Sequence, residues 1–169
     1  MGLTQALADS RSLAWKARAG AAVELGRLLP CDEAINRLAE LLGDEDMAVE
    51  LEATEVLARF GGQAGMVAIL GELGRRVDDP DSDYIAYRLQ ELQTNNRFPI
   101  LQNAREILNQ SPPSDVSEGI NQIEQLFGYL APQQDRRLRD DEDPAVEEVP
   151  VLERARSNWR RICAWFSSR

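Results

Sequence analysis

Histidine is absent from this chain. That absence removes the commonest general base, the commonest metal ligand and every Ser-His or Cys-His dyad. Cysteine is scarce. Cys31 and Cys163 stand far apart, make no zinc-binding spacing, and read as reduced cytosolic thiols that behave as small apolar residues. No apolar run approaches the roughly 18–20 residues that span a membrane. Charged residues interrupt the first thirty positions, where a signal peptide needs an apolar stretch. These absences predict a cytoplasmic protein with no catalytic residue, no metal and no cofactor. Aromatics are few and alanine and leucine plentiful, which suits a helical protein.

Charge of one sign dominates. The formal net charge is −10, and residues 132–169 hold eight arginines against eight acidic residues, so residues 1–131 carry the whole excess. A body this acidic repels a phosphate backbone, which argues against nucleic-acid binding. It attracts a basic protein and speeds the encounter.

The chain also repeats itself every 32 residues. Ala21, Leu25, Arg27 and Leu28 return as Ala53, Leu57, Arg59 and Phe60, then as Ile85, Leu89, Glu91 and Leu92. Ile35, Leu38, Glu40 and Leu41 return as Val67, Leu70, Glu72 and Leu73. Apolar positions recur as apolar positions. A period of this size marks stacked supersecondary units.

Helix and stop signals alternate along the repeat. A first helix is predicted from Ser12 to Leu29, with Leu13, Ala17, Ala21, Leu25 and Leu28 as its apolar stripe and Pro30 as its stop. Asp32 is a candidate cap for a second helix and Asp46 for a third. Gly61-Gly62 ends the third, and a fourth runs from about Gln63 to Val77. The fifth carries Ile85, Leu89 and Leu92. The sixth follows Pro99, and a seventh is capped by Ser117. Ala17, Ala21, Ala22 and Ala53 are small enough to let helices cross closely.

These segments carry a resemblance. Ala17 through Gly26, Ala34 through Leu38 and Leu41 through Asp46 resemble the short HEAT-like repeat, above all the version named after phycobilin lyases. The resemblance covers about residues 10–110. It implies an all-α, short right-handed α-solenoid of HEAT-like hairpins with a binding surface. Two departures stand out: Glu50 replaces an arginine common in such repeats, and Asp83-Tyr84-Ile85-Ala86-Tyr87 replaces an alanine-rich stretch. In such stacks the second helix of each hairpin lines the concave side. That implies Asn36, Arg37, Glu40, Ala68, Glu72, Gln102 and Arg105 as partner-facing positions.

The organisation expected is therefore a solenoid over residues 1–131, with three hairpins and a capping helix. An acidic linker follows over 132–150 and an amphipathic helix over 151–169. Leu152, Ala155, Trp159, Ile162 and Phe166 form one apolar seam in the last segment, with Arg154, Arg156, Arg160, Arg161 and Trp165 around it. Three uses stay open for it: folding back on the acidic body, hooking a partner helix-in-groove, or lying on an anionic membrane as a peripheral contact. The binding residues singled out here are Leu152, Trp159, Arg160, Ile162, Trp165 and Phe166.

Several motifs fail on inspection. Asp79, Asp81 and Asp83 start a calcium loop, but Tyr84 and Gln90 stand where it needs glycine and glutamate. A turn capped by aspartates fits better. Gly61, Gly62 and Gly65 lack the lysine-serine or lysine-threonine pair of a phosphate loop. Glu50 and Glu52 are not marked out from a solvated helix face. The function expected is a non-enzymatic adaptor, chaperone or assembly factor for a protein partner, a basic one by charge. The alternatives are an immunity-type inhibitor of a basic toxin and, on the repeat resemblance alone, a bilin lyase or lyase subunit.

Overall fold

The structure, a computed structural model, describes residues 2–95 and 98–130. The linker expected over 132–150 and the helix expected over 151–169 lie outside the described residues, and with them Leu152, Trp159, Arg160, Ile162, Trp165 and Phe166.

Eight α-helices make up the described part: α1 (Leu3–Asp9), α2 (Trp15–Gly26), α3 (Asp32–Leu41), α4 (Met47–Phe60), α5 (Gly62–Arg75), α6 (Asp83–Asn95), α7 (Ile100–Leu108) and α8 (Ser114–Phe127). There is no strand among the described residues. The repeated apolar positions are what build the core. Leu25, Leu57 and Leu89, one period apart, are each 0% exposed, as are Leu38 and Leu70. Burying one such leucine is worth about 1.5–3 kcal/mol. α2, α4 and α6 pack side by side in one layer, and α1, α3, α5 and α8 follow one another in a second. Neighbours alternate between the layers, which is the architecture of an all-α solenoid.

The stack begins earlier than the sequence pattern suggested. α1 lies one period before α3, with Leu3 and Ala6 standing where α3 has Ile35 and Leu38. Ala6 is fully buried. The Arg37 guanidinium fixes α1 to α3 by donating to Ser10 Oγ at 2.8 Å and to the Ser10 carbonyl at 2.6 Å. α1 thus stands at the place of a second hairpin helix and packs against α2 and α3.

Several local expectations change. Leu13, placed in the first apolar stripe, lies in the turn before α2 and is fully exposed. The reason is Arg18, which draws the Ser12 and Leu13 carbonyls to its Nη1 at 3.0 and 3.2 Å and holds that segment out of the helix. Phe60 is 61% exposed although its repeat partner Leu92 is 1% exposed. The chain turns immediately after it, at Gly61 and at Gly62 with φ +56°, a conformation that suits glycine. Asp46 caps α4 as read, accepting the Ala48 N–H at 2.9 Å. Asp32 and Ser117 are not caps: Cys31 and Pro113 precede their helices, and both residues lie within them.

The helix expected as a cap, α8, packs chiefly on α5 and also touches α6 and α7. α7 meets α5 near its N-terminus, where Gln63 and Gln110 share a 2.6 Å hydrogen bond. α8 packs backbone to backbone along the C-terminal half of α5. A Cβ on Gly119 would come within 1.9 Å of the Leu70 carbonyl oxygen, and one on Gly74 within 1.7 Å of the Asp115 carbonyl oxygen. Gly71, Gly74 and Gly119 are what let these two helices touch, a role the sequence reading gave to alanines. Val116, Ile120, Ile123 and Phe127 then seal α8 onto the core.

Candidate protein-interaction surface

Two buried ion pairs set the framework on which any surface is displayed. Arg18 on α2 meets Asp44 in the turn after α3, Nε to Oδ2 and Nη2 to Oδ1, both at 2.7 Å. The two side chains are 9% and 8% exposed. One period on, Glu50 on α4 meets Arg76 in the turn after α5. The residues are at equivalent positions and the charges are exchanged. The acid at position 50 is therefore compensated by the arginine at position 76. A third period places Ser82 and Leu108 there, and the pair is lost.

The surroundings differ in their demands on charge. Burial alone raises the Asp44 carboxyl, but the Arg18 guanidinium and the Asp46 N–H outweigh it and hold it below the usual carboxylate range. At Glu50 burial wins. It pushes the carboxyl up to about 7 against the pull of Arg76, with Glu72 and Asp81 adding to the rise. Arg76 also donates to Asp79 at 2.9 Å and to the Leu42 carbonyl at 3.3 Å, so one guanidinium ties three segments together. Asp79 accepts the Asp81 N–H at 3.0 Å, and that bond, with Arg76, holds its carboxyl below the usual range. The turn reading of these aspartates, rather than a calcium loop, matches this geometry.

The partner-facing positions divide into two groups. Arg37, Glu72 and Arg105 hold the solenoid together: Arg37 as above and to Glu40 at 2.5 Å, Glu72 to Arg75 at 2.7 Å, and Arg105 to Glu124 on α8 at 2.6 and 3.1 Å. Arg75 continues to Asp115 at 3.0 Å, a second tie between α5 and α8. Asn36, Glu40 and Gln102 are exposed, with Gln102 donating to Glu106 at 3.0 Å. Ala68 is half-buried.

This pairing leaves a one-sided surface. Among the described residues every arginine except Arg11 bonds a carboxylate. Lys16 lies over the Trp15 ring, 5.3 Å from its centre. No arginine of the described part meets Asp32, Glu33, Asp78, Asp81, Glu106 or Glu118, and all but the half-buried Glu118 are exposed.

One furrow missed by the sequence reading lies between α2 and α4. Its cavity of about 430 Å³ is lined by Val23, Gly26, Val56 and Phe60, with Arg27, Glu52, Glu55 and Arg59 at its walls. The signal for it was the mid-furrow Gly26, whose absent Cβ would lie 2.5 Å from Val56 Cγ1. No helix among the described residues is long and apolar enough to cross a membrane.

Neither a curated protein nor a solved structure matches the chain. A family model described as HEAT repeats matches residues 1–93, which reach from α1 into α6. HEAT repeats are, in general, scaffolds for protein interaction. With more than half the chain matched, and helices stacked in two layers at a 32-residue period, the protein belongs to the HEAT-repeat family.

Proposed function

We propose that this protein is a non-enzymatic binding scaffold, an adaptor, chaperone or assembly factor, that holds a basic protein partner against its acidic surface. The observation that supports the reading is the pairing pattern. Every arginine of the described part except Arg11 pairs with a carboxylate of that part, and exposed carboxylates such as Glu33 and Glu106 are left without an arginine. Such a field steers a basic partner and speeds association. Asn36, Glu40 and Gln102 belong to this surface, together with Glu33, Glu106 and Glu118. The aromatic and arginine-rich residues from Leu152 to Phe166 are a second contact for the same partner in this reading.

Affinity capture from native lysate, with stepwise salt elution, tests it. The full chain is compared with a variant carrying glutamine at positions 33, 106 and 118, and with a chain ending at Leu130. A basic protein retained by the full chain at low salt, released by high salt and weakened by either change is the expected result. Captured proteins no more basic than the lysate, or retention indifferent to salt, would overturn the proposal.

A further inference from the structure

The furrow between α2 and α4 differs from its repeat counterpart in a way that points to an occupant. One period on, between α4 and α6, the position of Gly26 is taken by Ala58, that of Glu52 by Tyr84, that of Val56 by Arg88 and that of Phe60 by the buried Leu92. Bulk stands at the second interface where the first has a glycine, a valine and an outward-facing ring. The departure Asp83-Tyr84-Ile85-Ala86-Tyr87, which broke the alanine-rich pattern, supplies part of that bulk. At the first interface Gly26 lets the buried Val56 press against the α2 backbone, and the trough beside that contact is edged by Val23 and Phe60.

Of the two carboxylates at the furrow's walls, Glu55 is paired and Glu52 is not. Arg27 bonds Glu24, while Arg59 and Arg88 both bond Glu55. Glu52 bonds no arginine among the described residues. It is half-buried, and burial followed by the neighbouring Glu55 charge raises its carboxyl above the usual range, against a smaller opposing pull from the Arg88 charge. A carboxylate in that setting gains from a cation brought to it.

We propose that this furrow docks a short segment of the partner protein, an aliphatic or aromatic side chain entering between Val23, Val56 and Phe60 with a neighbouring arginine or lysine meeting Glu52. This deepens the basic-partner reading and rests on it: the partner is basic, and its anchor is an apolar residue flanked by positive charge. The apolar residue selects the furrow. The cation distinguishes it from a simple greasy patch, and the rest of the acidic surface supplies attraction at a distance.

The test uses the full chain, labelled with nitrogen-15, at about 150 mM salt so that long-range attraction is screened. The probes are three capped octapeptides: alternating leucine and arginine, serine and arginine, and leucine and glutamine. The leucine-arginine peptide is expected to shift the amides of Gly26, Glu52, Val56 and Phe60 saturably. The other two are expected to bind about ten-fold more weakly, as loss of one good contact implies. Glu52→Gln and Phe60→Ser should each weaken the leucine-arginine peptide about five-fold or more. Phe60 is exposed and Glu52 bonds no arginine, so both variants are expected to stay folded, which their amide spectra verify.

The outcomes separate this inference from the reading beneath it. Shifts confined to the exposed carboxylates of α3, α7 and α8, or equal binding of the serine-arginine peptide, would overturn the furrow and leave the basic-partner reading standing. No binding of either arginine peptide at any position would overturn both. Concentration-dependent shifts of Gly26 and Phe60 without peptide would mean that a second copy fills the furrow, which also overturns it.

Discussion

Replacing Gly119 by alanine places a methyl group between two backbones. Its Cβ would stand 1.9 Å from the Leu70 carbonyl oxygen, 2.8 Å from the carbonyl carbon and 3.1 Å from Leu70 Cα. Ordinary contact begins near 3.4 Å, so α5 and α8 must part by roughly 1.5 Å. Neither side can yield by rotating a side chain. Overpacking costs about 1–3 kcal/mol where neighbours can adjust, and here the upper end applies. Alanine's better helix propensity returns about 1 kcal/mol. The net expectation is a loss of about 2 kcal/mol. Gly20→Ala is the matched control, because nothing lies within 4 Å of a Cβ there and the site is exposed in the middle of α2. It should gain about 0.5–1 kcal/mol. At about 3–4 °C per kcal/mol for a domain of this size, the melting temperature should fall by about 6–8 °C in Gly119→Ala and rise by about 2–4 °C in Gly20→Ala. Thermal melts followed by far-ultraviolet circular dichroism read both. A Gly119→Ala chain melting at or above the parent temperature would refute the backbone crossing.

Three further outcomes follow from the ion pairs and from the reading of function. Arg18→Met leaves Asp44 buried without its partner and should cost about 3–5 kcal/mol in denaturant unfolding, whereas the exchange Arg18→Glu with Asp44→Arg should recover at least half of that, since the next repeat is built with that polarity. Glu50 has a folded-state value of about 7 against an ordinary 4.5, so its contribution is complete below about pH 4.5 and is lost as pH rises through 7. Glu50→Gln, which cannot ionise, should therefore match the parent melting temperature near pH 4.5 and exceed it near pH 8, by up to about 3 kcal/mol in stability; equal curves across that range would refute the assignment. Asp44 and Asp79 act in the opposite sense, losing their contribution as pH falls through their lowered values, outside that window. Bilin added to the pure protein should leave its visible absorption spectrum unchanged, as a binding scaffold requires and a lyase would not.

The apolar half of the fold was legible in the residues. Leu25, Leu57 and Leu89 announce themselves because burial demands the same chemistry at every turn of the repeat. The polar half was harder to read, because a buried pair needs opposite charges without specifying which residue carries which. Glu50 therefore looked like a departure until Arg76 was seen across from it. The α5–α8 crossing was missed for a related reason: Gly71, Gly74 and Gly119 cost helix propensity, and only a tertiary contact 45 residues away from Gly74 explains their presence. α1 escaped notice because a seven-residue segment, with Leu3, Ala6 and Leu7 on its core side, is too short to show a period. The candidate surface was legible as a net charge and no further. Which arginines are spent internally depends on distances between turns, and five of the positions chosen for a partner, Arg37, Glu40, Glu72, Gln102 and Arg105, turn out to bond their own chain.

The account rests most heavily on an acidic scaffold that draws its partner by charge. Its most direct test is the association rate of the captured partner, measured by stopped flow from low to high salt. The expected result is a fall of about ten-fold or more between about 20 mM and 500 mM salt, with dissociation changing much less. An association rate independent of salt would contradict it.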